Sequence, residues 1–266
     1  METIRLDELT ARQFSLTPEE ATGLIMAGRI SINGVPMDKP GTPIPSDAVL
    51  ILKEKTKKYA SRSGYKLEKA LEVFEINVSG LTVCDIGASN GGFTDCLLQH
   101  GAGHVYAVDV AYGILEWRLR TDERVTPLER TNARSLTLEQ LGTRCSLVTA
   151  DVSFISLSKI FPAVDRVLTA DGICICLIKP QFEAPQKVLG KNGVLKDPSI
   201  LPNLFRSLAD DAEQSALYLS GMAVSPIHGT NGDTEFLACF CRQPSLTEEE
   251  RDRCFEQVAA FYSSEK

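Results

Sequence analysis

The apolar run Ile173-Cys174-Ile175-Cys176-Leu177-Ile178 leads straight into Lys179 and Pro180. Such a run predicts a strand buried on both faces. Proline fixes its own φ and holds the preceding residue extended, so Lys179 is aimed out of the strand end rather than wound into a helix. A second run, Leu147–Ala150, ends in Asp151. In open α/β sheets the crevice beyond the carboxyl ends of the strands is where ligands bind, so Lys179 and Asp151 are expected to share it. An amine and a carboxylate so placed can move a proton or form a structural ion pair.

A third strand candidate, Thr82–Ile86, carries Asp85 and opens into Gly87-Ala88-Ser89-Asn90-Gly91-Gly92-Phe93 before a helical stretch, Thr94–His100. Glycines at a strand-to-helix turn admit a ligand close to the backbone, and the helix start favours an anion. The G-K-[ST] ending of a P-loop is missing, and the spacing is G-x-x-x-G-G rather than G-x-G-x-x-G. The remaining cofactor candidate is S-adenosylmethionine, whose carboxylate can occupy such a cradle. Asp109 ends the next strand, where an acid can accept from ribose hydroxyls. A tight turn that only packs helix on sheet is the alternative.

The elements that must position these residues alternate. Thr82–Ile86, His104–Val108, Val125–Leu128, Leu147–Ala150, Ile173–Ile178 and Phe236–Cys241 read as strands with helical stretches between them, which predicts an α/β, doubly wound, Rossmann-like sheet. Residues 1–57 read as a separate small α+β domain, with residues 58–266 forming the other. Thr17-Pro18-Glu19-Glu20 is a capping-box helix start, and Asn33-Gly34 is a turn between two short strands. Residues 38–47 read as a loop, and residues 245–264 as a capped surface helix. The stretch 183–197 lacks any period and is expected to be a long mobile loop over the crevice.

Charge is uneven. The net charge is −7, yet residues 53–69 hold seven Lys/Arg against two Glu. This stretch is either a solvated linker or a phosphate-tracking patch. The eight cysteines include no C-x-x-C and the three histidines form no ligand pattern, so buried thiols are expected and a metal site is not. No apolar run approaches the roughly eighteen residues of a membrane span. The charged start lacks the apolar segment of a secretory signal, and a soluble, cytoplasmic protein is expected.

Six blocks, "YASRSGYKLEKA", "DIGASNGGFTDCLL", "ERTNAR", "DVSFISL", "LIKPQFE" and "SPIHGTNGDTEFLA", together resemble the TlyA family of hemolysin-named proteins and ribosomal-RNA 2′-O-methyltransferases, with an FtsJ-like catalytic domain. The start "RLDELTARQF…GRISINGV" resembles the small RNA-binding domain of a ribosomal small-subunit protein, the S-four domain. The resemblance implies a Lys-Asp-Lys-Glu tetrad at Lys66, Asp151, Lys179 and Glu235. It also implies S-adenosylmethionine held around Asp85, Gly87, Ala88, Ser89, Gly91, Gly92, Phe93, Asp109 and Asn132. Ribosomal RNA or ribosomal subunits would be the partner, contacted by Arg5, Lys55, Lys57, Lys58 and Arg62. A pore-forming hemolysin and a non-catalytic RNA-binding assembly factor are the competing readings.

Overall fold

The computed structural model describes residues 3–26, 28–53, 58–190, 194–229 and 232–264. The chain forms two compact units, Met1–Lys58 and Tyr59–Lys266.

In the first unit, β1 (Thr3–Arg5) leads into α1 (Leu6–Phe14) and α2 (Pro18–Met26), followed by β2 (Ile30–Ile32), β3 (Val35–Met37), β4 (Pro43–Pro45) and β5 (Leu50–Leu52). The Thr17–Glu20 capping box forms reciprocally, at 2.8 and 3.3 Å. Asn33 (φ 50°) and Gly34 (φ 81°) are both left-handed, as the two-residue turn of the β2–β3 hairpin requires. The segment read as a loop contains β4, which pairs antiparallel with β1. Its proline-rich sequence hides a strand because prolines are tolerated where a ladder is only two strands wide. Leu6, Leu9, Ile25, Ile30, Ile44 and Leu50 close the core.

The second unit runs α3 (Ser63–Val73), β6 (Thr82–Ile86), α4 (Gly92–Gln99), β7 (His104–Val108), α5 (Trp117–Arg120), β8 (Val125–Leu128), α6 (Leu138–Leu141), β9 (Cys145–Ala150) and α7 (Phe161–Val167). It continues with β10 (Leu168–Ile178), α8 (Pro180–Glu183), α9 (Leu201–Glu213), β11 (Tyr218–Val224), β12 (Phe236–Cys241) and α10 (Glu248–Ser264). The sheet order is β11-β12-β10-β9-β6-β7-β8. The strands from β10 to β8 are mutually parallel, and β12 is antiparallel to both neighbours. Strand order reverses between β6 and β9, which opens a crevice at their carboxyl ends. One apolar cluster on each side of the sheet makes this a doubly wound fold.

The six expected strands are present. β11 escaped the sequence because "YLSGMAV" is broken by Gly221 and none but Leu219 is fully buried. The C-terminal helix starts at a Thr247–Glu250 capping box, but it is not merely a surface helix: Phe255, Val258, Ala259 and Tyr262 are buried in the core. The expected long loop over 183–197 is also tied down at its flanks. Gln186–Val188 form a 3-10 turn, Leu189 bridges Leu195, and Leu195 is buried. All eight cysteines are free thiols; burial pushes Cys239 up to about 12, the inert state expected of a thiol packed as a small hydrophobe.

Candidate active site

The turn after β6 is built from left-handed residues: Gly87 (φ 85°), Ser89 (φ 50°) and Gly91 (φ 93°). The amides of Gly87 and Ala88 both donate to the Val108 carbonyl, at 2.8 and 3.1 Å. At Gly87 a Cβ would collide with the backbone carbonyl of Asp151, so the turn and the end of β9 can approach only because this residue is glycine. The closely packed turn borders a cavity of about 410 Å³ whose wall includes Gly87, Ser89, Asp109, Asn132, Asp151 and Phe154.

Asp109 is held as a platform. Its Oδ2 accepts the Ser89 amide at 2.8 Å and its Oδ1 the Ala111 amide at 2.8 Å. Each oxygen keeps a lone pair for a further donor, as a ribose diol would need. Asn132 lies on the wall and accepts from the Arg134 amide at 3.1 Å.

Three residues expected at the cofactor do not line this cavity. Asp85 is fully buried beneath the turn, where its carboxylate accepts from Thr94 Oγ1 at 2.7 Å and Thr149 Oγ1 at 2.9 Å. It ties β6, α4 and β9 together, and burial raises its pKa to about 6. A Cβ on Gly91 would meet Leu119 and Leu115, and one on Gly92 would meet the hydroxyls of Ser61 and Ser63. These two glycines permit close packing of neighbouring segments and take no part in the cavity wall. Ala88 and Phe93 line a smaller, adjoining pocket of about 190 Å³, together with Ser63, Asp151, Ser153 and Lys179.

That pocket holds the lysine. Lys179 Nζ lies 2.6 Å from Asp151 Oδ1 and donates to Ser153 Oγ at 2.9 Å. Both charged side chains are largely buried, at 10% and 15% exposure. The aligned hydrogen bond goes to Ser153, and Asp151 Oδ1 has no aligned donor of its own. A second buried ion pair joins Lys66 on α3 to Glu235. The antiparallel register pairs Ile178 with Phe236, so Lys179 and Glu235 extend that ladder as adjacent residues on neighbouring strands. The four residues expected from the sequence are therefore brought together as two Lys–carboxylate pairs at the strand ends. Pro180 starts α8 directly after Lys179, whose φ of −112° and ψ of 101° are extended as expected.

The residues read as RNA contacts are described only in part. Lys55 and Lys57 lie outside the described residues. Lys58 is exposed, and Arg62 is exposed at the N-terminus of α3. Arg5 is forked onto Asp7, with Nε–Oδ1 at 3.0 Å and Nη2–Oδ2 at 2.6 Å, and this guanidinium lowers the Asp7 pKa.

No sequence pattern singles out Ser153, Thr94, Thr149 or Phe154. Threonines in apolar runs carry no pattern that separates a carboxylate partner from a strand former. Phe154 is 91% exposed with φ 64°, rare for a non-glycine residue, and its ring lies 5.1 Å from Phe182. Among the described residues no cluster of three or more His, Cys, Asp or Glu could hold a metal ion, and no helix is long and apolar enough to cross a membrane.

Residues 59–242 match the model of the FtsJ-like methyltransferase family. The chain is 41% identical to the 16S/23S rRNA (cytidine-2′-O)-methyltransferase TlyA of Mycobacterium tuberculosis, over 86% of each chain. It is 37% identical to Hemolysin A of Brachyspira hyodysenteriae, over 89% of this chain and 99% of that one. A solved Streptococcus thermophilus protein carrying the hemolysin name superposes with a TM-score of 0.73 at 37% identity, covering 100% of this chain and 98% of that one. With the family model matched over residues 59–242 and 41% identity to a TlyA protein over 86% of each chain, the chain belongs to the FtsJ-like methyltransferase family, in its TlyA group.

Proposed function

We propose that this protein transfers a methyl group from S-adenosylmethionine to a ribose 2′-hydroxyl of ribosomal RNA. The observation that carries the reading is the buried Lys179–Asp151 pair, opening into a pocket that adjoins the larger cavity around Gly87 and Asp109. The curated relative's cytidine-2′-O specificity supports ribose as the acceptor.

The residues present fit the cofactor. The close approach at Gly87, the Asp109 carboxylate with spare lone pairs and the apolar wall suit a nucleoside carrying a charged tail. When bound, the sulfonium supplies an electrophilic methyl group. The chain's own residues do the remaining work. A ribose hydroxyl is a poor nucleophile until it loses its proton, so alignment and proton removal are what the protein must provide. Ser153 and Asp151 fix the Lys179 amine at the pocket wall, where it takes or steers that proton. Glu235 fixes Lys66 in a second buried ion pair. Phe154, exposed at the pocket rim, offers its face to the base of the target nucleotide. The exposed cations Lys58 and Arg62 contact phosphate, and the first unit binds RNA in the manner of an S-four domain.

The test is transfer of labelled methyl from S-adenosylmethionine to ribosomal subunits isolated from cells that lack the enzyme. Label located on a ribose 2′-oxygen is the expected result. Cofactor binding without transfer to either subunit or to free ribosomal RNA would refute it.

A further inference from the structure

Four of the seven large apolar side chains that the second unit exposes among the described residues lie in one short segment. Val110, Tyr112, Ile114 and Trp117 are 68%, 63%, 37% and 73% exposed, all within the eight residues that follow Asp109. Val110 and Ile114 border the cofactor cavity, which accounts for them. Tyr112 and Trp117 are not part of that wall.

Both aromatics have arginines in the same segment of chain. The Arg130 guanidinium lies 4.3 Å from the centre of the Tyr112 ring. Trp117 begins α5, a single helical turn fastened from below. Glu116 N donates to the Asn90 carbonyl at 3.3 Å, and Thr121 N and Oγ1 both donate to the Trp117 carbonyl, at 3.1 and 3.0 Å. Leu119 is buried beneath, and Arg118 Nη1 donates at 3.1 Å to Asp95, itself buried in α4. The backbone is therefore fixed while the indole faces solvent. Arg118 is 51% exposed but already paired with Asp95 and, at 3.4 Å, with Glu116, whereas Arg130 and Arg134 are exposed in the following segment. An isolated exposed apolar residue needs no explanation, but an exposed indole on a fastened turn, followed in the chain by the exposed Arg130 and Arg134, supplies what unpaired nucleotides require, a flat π-face and cations for phosphate.

We propose that Trp117 is a stacking platform for an unpaired nucleotide of the RNA. The inference rests on the RNA substrate proposed above and extends it to a second contact outside the catalytic pocket. Stacking is tolerant of base identity, so this contact contributes affinity and register while the pocket selects the target.

Trp117 is the chain's single tryptophan, so the protein's indole emission reports on this residue alone. The experiment titrates the full chain with a single-stranded oligoribonucleotide of mixed sequence and with a duplex of the same sequence. The single strand is expected to quench emission and the duplex to do so far less. Trp117→Ala should weaken single-strand binding about 5- to 150-fold, the range of one base–aromatic stack. Trp117→Phe should recover most of that loss. S-adenosylmethionine affinity, measured by calorimetry, should stay within about twofold in both variants. Equal RNA affinity of wild type and Trp117→Ala, with methyl transfer to RNA intact, would overturn the stacking site and leave the proposed function standing. A lower maximal rate at unchanged KM in Trp117→Ala would also overturn it, because α5 would then act on the cavity rather than on RNA. A wild-type chain that binds cofactor but neither binds nor methylates RNA would remove both readings together. Emission altered by a protein of the ribosomal subunit, and not by RNA, would replace the nucleotide by a protein partner.

Discussion

Removing the Lys179 amine should separate catalysis from folding, because the two effects depend differently on Asp151. In Lys179→Ala, the Asp151 carboxylate keeps its position at 15% exposure but loses its cation, and Oδ1 has no aligned donor to replace it. Breaking a buried pair costs about 3–5 kcal/mol when the remaining charge is stranded. The adjoining cavities give Asp151 some access to water, which places the expected loss near the lower end, at about 3 kcal/mol. Methyl transfer should fall by about 10²–10⁴-fold, the usual contribution of a positioned proton acceptor and about 3–5 kcal/mol of barrier. Lys179→Ala/Asp151→Ala should then regain part of the stability, since no uncompensated charge remains, and regain none of the activity. Denaturant titration measures the first quantity, and single-turnover transfer of labelled methyl to RNA measures the second. Lys179→Met preserves the volume of the stem and controls for packing. A folded Lys179→Met protein with turnover within about twofold of wild type would refute the proton-transfer role. A double variant whose stability loss equals the sum of the single losses would refute the pairing argument.

The other expectations follow from the same geometry. Gly87→Ala places a Cβ against the Asp151 carbonyl at a left-handed φ, so it should lower stability by at least about 1 kcal/mol and abolish the rise in melting temperature given by S-adenosylmethionine; retention of that rise would show the cradle to be roomier than the packing implies. Asp85 holds its proton more tightly when folded, at about 6 against an ordinary 3.8, so its contribution to stability is full below pH 3.8 and is lost as pH rises through 6. Wild type should therefore lose up to about 3 kcal/mol relative to Asp85→Asn between those limits, and a stability difference independent of pH in denaturant titrations would contradict this. Neutralising Lys58 and Arg62 together should flatten the salt dependence of RNA binding by about two units of slope, and an unchanged slope would make them solvated linker charges.

Much of the site was legible because its local rules are strict. Proline after Lys179 dictates an extended lysine at the end of an apolar run, and a strand-to-helix turn with a left-handed residue favours glycine at Gly87. The strands that cross the sheet centre were readable from β-branched and apolar runs buried on both faces. β11 and β4 were not, because an edge strand or a two-stranded ladder places weak demands on its residues. Asp85, Gly91 and Gly92 belong to the right motif, yet their neighbours come from elsewhere in the chain: Thr149 for Asp85, Leu115 and Leu119 for Gly91, Ser61 and Ser63 for Gly92.

By itself the sequence determined the central strands, the turn chemistry and which residues could do chemistry, because these follow from dihedral limits and from the period of apolar burial along the chain. Tertiary structure alone decided which charges pair. Lys66 and Glu235 are 169 positions apart, and the choice of Glu235 for Lys66 and of Asp151 with Ser153 for Lys179 depends on strand order and register. It also decided that the Phe154 and Trp117 side chains face water, since exposure is a property of what the rest of the chain leaves uncovered.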